Sequence, residues 1–145
     1  MYRHLLIATD GSELARKAVV QGLELAKELG AKVTAITVTE PLAPMVAGEA
    51  VYPTQIDEYE KAMAAAAKKI LAPVCEEAEA KAVACEGLYL KDQYPAEGIV
   101  ETAKARECDL IVMASHGRRG VARLLLGSQA ANVLAYSSIP VLVCR

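Results

Sequence analysis

The residues with the clearest potential for chemistry lie in the stretch 113–130, MASHGRRGVARLLLGSQA, which follows an apolar run. This stretch contains three glycines and three arginines: Gly117, Gly120, Gly127, Arg118, Arg119 and Arg123. Glycine lets the backbone approach a ligand closely, and Gly127-Ser128 leads into a helical pattern whose first amides and positive dipole end would attract an anion. The arginines could neutralise phosphates, although arginines are common on protein surfaces. Two interpretations stay open: a phosphate cradle, or a polar connection in which Ser128 only caps a helix and Gly127 only makes a turn.

The elements that must position these residues alternate along the chain. Apolar or β-branched runs predict five strands, at residues 4–9, 32–40, 83–90, 109–115 and 139–144. Helical spacing and helix-forming residues predict four helices between them, at residues 12–30, 55–81, 95–108 and 128–138. Ser12 is expected to cap the first helix and Gly30 to end it, whereas Pro73 should kink or divide the second.

This alternation predicts the fold class. The chain has 145 residues, the usual size of one domain. Strands that alternate with helices predict an α/β fold: a single-domain, open, five-stranded parallel sheet with helices on both faces. The first and fourth strands are the most apolar and should be central. If the strand order is 3-2-1-4-5, the loops at residues 8–12 and 114–120 lie side by side at the switch point, where such sheets bind ligands.

Charge and composition exclude several classes of protein. A net charge of -2 argues against a general nucleic-acid binder, which would carry a basic surplus. No apolar run approaches the roughly 20 residues of a membrane span, and Asp10 ends the first apolar run too early for a signal peptide. We therefore expect a cytoplasmic protein with no nucleic-acid or membrane partner. The four cysteines have no close pairing in sequence, so we expect reduced thiols that act as small buried apolar side chains.

Four stretches of the chain together resemble one known family. They are LLIATDGS at residues 5–12, DLIVMASHG at 109–117, LLLGSQAANVL at 124–134 and IPVLVCR at 139–145. In this order, and over essentially the whole chain, they resemble the universal stress proteins. The resemblance implies a universal stress protein domain over residues 1–145, with a Rossmann-like fold of the adenine nucleotide alpha hydrolase-like type. Members of this family commonly form dimers, and they divide into ATP-binding members and members that bind no nucleotide.

The glycine motif of the ATP-binding members is present with one departure. That motif is Gly, two residues, Gly, nine residues, and then Gly followed by Ser or Thr. Here Gly127-Ser128 is preceded by nine residues, by Gly117 and, three positions before Gly117, by Ala114, where the family has its first glycine. Gly120 is out of register and is interpreted as a turn residue. The methyl group of Ala114 could block the close backbone approach that glycine permits.

The resemblance also implies positions for an adenine nucleotide. Ala8, Thr9 and Asp10 would line the adenosine end, Val38 would meet the adenine, and Met113 would adjoin it. The remaining residues of the motif and of the last helix would surround the phosphates: Ala114, Gly117, Gly127, Ser128 and Gln129. Mg²⁺ is expected to assist ATP, because apart from the arginines nothing in this site offsets the charge of a triphosphate.

Two polar side chains at this site have competing local roles. An Asp before Gly11 can simply close a turn, so Asp10 either faces the ribose or base or serves the loop. His116 could donate to a phosphate or satisfy a backbone carbonyl, and the second is favoured.

Three functions therefore compete. The first is a regulatory module that binds ATP, and the second is a dimeric stress protein that binds no nucleotide and acts through protein partners. The third is an enzyme such as an ATP-dependent ligase, whose Ser-Gly-Gly loop is replaced here by TDGS at residues 9–12. No nucleophile paired with a base is evident, so slow ATP hydrolysis is the most that we expect.

The C-terminal strand predicts a homodimer. IPVLVC at residues 139–144 is apolar on both alternating faces and contains no lysine. In the predicted strand order it lies at an edge of the sheet, where an unprotected strand can pair with its own copy across a two-fold axis.

Overall fold

The computed structural model describes residues 1–41, 53–117 and 126–145. Within these residues, five strands and four helices alternate: β1 (His4–Ala8), α1 (Glu13–Leu29), β2 (Lys32–Val38), α2 (Pro53–Ala80), β3 (Cys85–Leu90), α3 (Pro95–Ala105), β4 (Leu110–Ala114), α4 (Ser128–Tyr136) and β5 (Val141–Cys144). The predicted elements are all present, and most are shorter than predicted by one or two residues at an end. The described part of the chain has no helix that is both long and apolar enough to cross a membrane.

The sheet confirms the predicted α/β fold. All strand pairs are parallel, and the order is β3-β2-β1-β4-β5. Every residue of the central strands β1 and β4 is buried. Because side chains alternate along a strand, Leu5 and Ile7 pack toward α1 and α2, whereas Leu6 and Ala8 pack toward α3 and α4. The two faces of the sheet therefore carry separate cores. The strand order reverses between β1 and β4, which makes this the switch point of the sheet.

Helix α1 begins and ends at the two residues that the sequence predicts. The Ser12 side chain accepts a hydrogen bond from the Ala15 amide at 3.2 Å, a contact of the kind that contributes about 1 kcal/mol. Gly30 has a left-handed backbone, with φ of 63°, and its amide closes the last turn. These two signals are local, and they fix the direction in which α1 leaves the β1 loop.

Of the two outcomes predicted at Pro73, a kink or a division of the second helix, division is wrong. Helix α2 runs through Pro73 without interruption. Proline removes one backbone donor, but buried residues on both sides of it pack in the core beneath the helix: Leu71, Val74 and Ala78. Their burial outweighs the loss of a single hydrogen bond.

The amino ends of the central strands are closed by polar contacts. The Asp109 carboxylate accepts the amide of Arg3 at 2.9 Å and that of His4 at 3.0 Å. Buried His4 pairs through Nε2 with the Thr34 hydroxyl at 2.8 Å. Burial of the carboxyl raises the pKa of Asp109. The backbone hydrogen bonds, those from Arg3 and His4 foremost, together outweigh this effect, so the pKa lies below its ordinary value. We call the end of the sheet that carries these contacts the amino edge.

Candidate functional site

The loops that follow β1 and β4 lie against each other at the opposite, carboxyl edge of the sheet. Asp10 Oδ2 lies 2.7 Å from the position that a Cβ atom would take at Gly117. A side chain at Gly117 would therefore force the Asp10 carboxylate to move. The sequence-predicted neighbours at the switch point are thus brought together, and the glycine leaves room for the Asp10 side chain.

Asp10 also has the local role that the sequence leaves open. Its Oδ1 accepts the Ser12 amide at 2.9 Å, which closes the turn that leads into α1. Thr9 supports the same turn, because its hydroxyl accepts the Gly11 amide at 3.2 Å. The Thr9 amide continues the sheet by donating to the Ile36 carbonyl at 2.9 Å. This loop is consequently ordered by its own hydrogen bonds.

The first turn of α4 presents backbone amides that its N-cap residue does not cap. Gly127 is the N-cap residue, with an extended backbone, and Ser128 is the first helical residue. The interpretation of Ser128 as the cap is therefore wrong, and the glycine that stands in the cap position has no side chain with which to cap the helix. The first intrahelical bond runs from the Ala131 amide to the Gly127 carbonyl. The amides of residues 128–130 precede it and point out of the helix, as an anion site requires.

Gly127 fixes the start of α4 to the end of β4. Its amide donates to the Ser115 carbonyl at 2.7 Å. A Cβ atom at Gly127 would lie 2.7 Å from the same carbonyl oxygen and 3.2 Å from the His116 Cα atom. Contacts this short with backbone atoms are not tolerated, so packing requires glycine at the third glycine position of the motif. Sequence reasoning missed Ser115, because a backbone carbonyl leaves no signal in the residue type.

The His116 ring lies beside this junction. Its Nδ1 pairs with the Ser115 hydroxyl at 3.0 Å, so the favoured expectation of a bond to a backbone carbonyl is not what the structure shows. Its Nε2 is buried and has no hydrogen-bond partner among the described residues. The ring packs against the backbone of Gly127, where a Cβ atom would lie 3.5 Å from His116 Cδ2. His116 thus carries a polar atom next to the helix start.

Three of the residues expected at the adenosine end share one face of the sheet. Ala8 and Met113 are buried in the core that faces α3 and α4, and Val38 is half-buried against the same core. Ala114, by contrast, ends β4 and packs toward α1 on the other face. Ala8, Val38 and Met113 therefore form one apolar group at the carboxyl edge, which we call the apolar wall, and the methyl group of Ala114 is not part of it.

Gln129 connects the two helices of this face. Its Oε1 accepts the Ala96 amide at 3.2 Å, in the first turn of α3. Tyr94, the N-cap residue of α3, makes no capping hydrogen bond of its own. The side-chain oxygen of Gln129 is therefore committed to α3, and only its backbone amide belongs to the open first turn of α4.

Other parts of the predicted site lie outside the described residues: Arg118, Arg119, Gly120 and Arg123. In the described ranges, no three His, Cys, Asp or Glu side chains are grouped so that they could hold a metal ion. A Mg²⁺ ion bound mainly through phosphate oxygens and water needs no such group, since Mg²⁺ usually takes only one or two carboxylates from the protein.

Comparison of the sequence and the fold with known proteins identifies one family. Residues 1–145 match the model of the universal stress protein family. A universal stress protein of Methanocaldococcus jannaschii is 36% identical over 146 residues, which cover 100% of this chain and 83% of that protein. The structure of UspA from Lactobacillus plantarum matches with a TM-score of 0.84 and 25% identity, covering 99% of this chain and 98% of that one.

A further similar structure is that of a universal stress protein in complex with cAMP. It matches with a TM-score of 0.69 and 26% identity, and the match covers 99% of this chain and 97% of that chain. The family model and the relatives extend over the whole length of the sequence. This chain therefore belongs to the universal stress protein family.

Proposed function

We propose that this chain is a regulatory module that binds ATP, with Mg²⁺, at the carboxyl edge of the sheet between β1 and β4. The observation that carries the proposal is the start of α4, where Gly127, as the N-cap residue, provides no side-chain cap for the amides of residues 128–130. Such a turn offers hydrogen bonds and a positive dipole end to an anion. The net charge of -2 supplies no general attraction for phosphates, so binding must come from this local geometry.

The adenosine end of the proposed site is the apolar wall of Ala8, Val38 and Met113. The wall and the first turn of α4 lie on the same face of the sheet, because all three residues and Ala130 contact the core that faces α3 and α4. An apolar wall beside a few convergent donors is the common composition of a cofactor site. The cAMP complex of a similar universal stress protein supports an adenine nucleotide as the ligand class.

His116 Nε2 is proposed as a further donor to the phosphates. The atom is buried beside Gly127 and has no partner in the described part of the chain. A buried polar atom without a partner costs roughly 1–3 kcal/mol, so a phosphate oxygen within reach would recover that cost on binding.

Calorimetric titration with ATP and Mg²⁺ tests the proposal. We expect saturable binding at or below millimolar ATP and at least about tenfold weaker binding of adenosine, which lacks the charged groups that the α4 amides would hold. Mass spectrometry of nucleotide carried through purification provides an independent measurement. If millimolar ATP with Mg²⁺ gives no saturable heat, the proposal is wrong. A turnover assay in the same samples should give slow hydrolysis at most.

A second candidate function, a stress protein that binds no nucleotide, is favoured by the packing of the glycines. Gly127 is required by the Ser115 carbonyl, and Gly117 leaves room for the Asp10 carboxylate. Neither contact involves a ligand. The motif could therefore persist for folding alone. The titration separates the two candidates, because only the first predicts saturation.

We further propose that the chain forms a homodimer through β5. β5 is the outermost strand on one side of the sheet, so it has only β4 as a neighbour, and its Leu142 is 37% exposed. On α4, which packs beside β5, Leu134 and Tyr136 are also exposed, at 46% and 74%. Light scattering should report a dimer at micromolar concentration, and a monomer there would remove this proposal. Leu142→Lys is a cleaner disrupting variant than Val141→Lys, because Val141 also packs against the core.

A further inference from the structure

Two of the four cysteines form a close pair between α2 and β3. The sulfur atoms of Cys75 and Cys85 are 3.3 Å apart, and both side chains are half-buried. The sequence-based expectation of buried apolar thiols holds for Cys108 and Cys144. It is wrong for this pair, whose members are in contact and partly exposed to solvent.

The fold holds the pair in place from both sides. The connection from α2 to β3 is tight, because the Val83 amide donates to the Ala78 carbonyl at 2.8 Å. Gly87 lies two residues after Cys85, on the same face of β3. The Cys75 sulfur lies 3.4 Å from the position that a Cβ atom would take at Gly87, so it packs closely against the backbone of β3. The two thiols are thus brought together by packing that does not depend on a bond between them.

Small molecules can reach this pair. A surface cavity of about 430 Å³ is lined by both cysteines and by the turn that joins their elements: Cys75, Glu76, Glu79, Ala82, Val83, Ala84 and Cys85. Cys108 and Cys144 are buried in the two cores, where a water-soluble oxidant has no comparable access.

We propose that Cys75 and Cys85 are a reversible thiol–disulfide site that is oxidised by hydroperoxides and reduced by dithiols. The Cys75 sulfur, as thiolate, attacks one oxygen of the O–O bond. The other oxygen leaves as an alcohol, or as water when the oxidant is hydrogen peroxide, and Cys75 becomes a sulfenic acid. The Cys85 sulfur then displaces that hydroxyl group, which leaves as water with the proton of Cys85. Two thiols thereby lose two electrons and two protons, and the peroxide bond is reduced.

The environment sets the order and the pace of these steps. Burial, followed by the hydrogen bond with Cys75, raises the pKa of Cys85 to about 12, so Cys85 acts second and reacts as the resolving thiol. Because so little of Cys85 is thiolate near neutral pH, the second step is slow. Oxidation should therefore respond to sustained peroxide exposure, over minutes to hours, and not to a brief pulse.

Intact-mass spectrometry after peroxide treatment of the native protein, followed by alkylation in denaturant, tests the site. We expect a product that has lost about 2 Da, the two hydrogens of the thiols, with two cysteines still free to react with the alkylating agent. Peptide mapping should assign the bond to Cys75 and Cys85. Treatment with a dithiol should restore four reactive thiols.

Variants separate this site from unspecific oxidation. Cys85→Ser should stop at a sulfenic acid on Cys75, which a dimedone probe captures, whereas Cys108→Ser should oxidise like the unmodified chain. Cys85→Ala provides the same test if the serine variant does not fold. Oxidation spread over all four cysteines, or disulfides between chains only, would overturn the proposal.

A second measurement tests whether the fold itself favours the bond. Equilibration with glutathione redox buffers gives the effective concentration of the two thiols, in native buffer and in denaturing urea. We expect the native value to exceed the denatured value at least about tenfold, because the sulfur atoms already touch. Equal values would show that sequence proximity alone brings the thiols together, and would contradict a site built by the fold.

Discussion

The two ends of β1 and β4 differ in how fully their polar groups are satisfied. At the amino edge, the Asp109 carboxylate accepts two backbone amides, and His4 pairs with Thr34. At the carboxyl edge, the N-cap residue of α4 is a glycine that cannot cap the first amides, and His116 keeps a buried nitrogen without a partner in the described residues. The same two strands therefore end in a closed network on one side and in open donors on the other. We infer that the amino edge serves stability, whereas the carboxyl edge is available to a ligand.

The largest effect is expected from Gly127→Val at the carboxyl edge. A Cβ atom there would lie 2.7 Å from the Ser115 carbonyl oxygen, so the branched side chain must push the start of α4 away from β4. Affinity for ATP should fall at least about 100-fold, or roughly 2.7 kcal/mol, as measured by calorimetry with Mg²⁺.

Ser128→Ala is the matched control for that substitution. It removes a hydroxyl group from the same turn and leaves the backbone amides in place, so affinity should change by only a few fold. Urea unfolding of both variants checks that they remain folded. If Gly127→Val left the affinity for ATP unchanged, the phosphates would have to bind elsewhere. That result would contradict the comparison of the two edges.

The second effect is expected at the amino edge. Asp109→Ala removes the acceptor of the Arg3 and His4 amides, so neither amide keeps its charge-assisted hydrogen bond. The free energy of unfolding should fall by about 1–2 kcal/mol in urea titrations. Affinity for ATP should stay unchanged, since Asp109 and the two amides lie at the opposite end of the strands from the proposed site.

Glu101→Ala provides the control for this variant. Glu101 is an exposed carboxylate on α3, and its removal should change stability by less than about 0.5 kcal/mol. A drop in ATP affinity that accompanies Asp109→Ala would show that the two edges are coupled and not independent.

The third prediction uses pH to examine His4. Burial, followed by the positive charge of Lys32, lowers the pKa of His4 below its ordinary value of 6.5, against the opposing charge of Asp109. The unfolded chain therefore takes up a proton more readily than the folded chain. The free energy of unfolding should fall as the pH drops from about 6.5 toward the lowered pKa, by no more than about 1.4 kcal/mol per pH unit for one proton.

His4→Gln sharpens this test. Glutamine does not titrate, so the variant should lose the decline between pH 7 and pH 5 in a series of urea titrations. Asp109 affects stability in a different pH range. Because its pKa is lowered in the folded chain, the stability that it adds is lost only as the pH falls below its ordinary pKa of 3.8. Parallel pH curves for the two proteins would contradict a buried, uncharged His4.

Much of the fold could be predicted because its signals are local. The apolar runs of β1 and β4, the Ser12 cap and the Gly30 stop each depend on a few neighbouring residues. The failures involve tertiary packing. The helix continues through Pro73 because residues before and after the proline pack against strands that are distant in the sequence. A local rule for proline cannot include such contacts.

The candidate site was predictable only in part for the same reason. The positions of Gly117 and Gly127 follow from the spacing of the motif, but the reasons for glycine there are an Asp10 oxygen and a Ser115 carbonyl, both contributed by folding. Neither the contact of Gln129 with α3 nor the approach of Cys75 to Cys85 has a signal in the sequence. These contacts arise between elements, and residue spacing does not encode them.

The smallest effect is expected from Ala114→Gly, which restores the first glycine of the family motif. Ala114 ends β4 with strand geometry, so alanine is not strained there. We expect ATP affinity to rise by no more than about tenfold, or roughly 1.4 kcal/mol. The free energy of unfolding should fall by about 0.5–1 kcal/mol, because glycine loses more backbone freedom on folding.

The direction of the Ala114 side chain explains why the gain is limited. Its methyl group packs toward α1, on the face opposite the apolar wall of Ala8 and Met113. It would therefore crowd a nucleotide only if the nucleotide came close to the backbone of Ala114 itself. Ala8→Gly is the matched comparison: it removes a methyl group from the wall and should weaken binding of ATP. A gain well above tenfold for Ala114→Gly in calorimetry would show that the methyl group blocks the site, and that the carboxyl edge is less open than the uncapped start of α4 indicates.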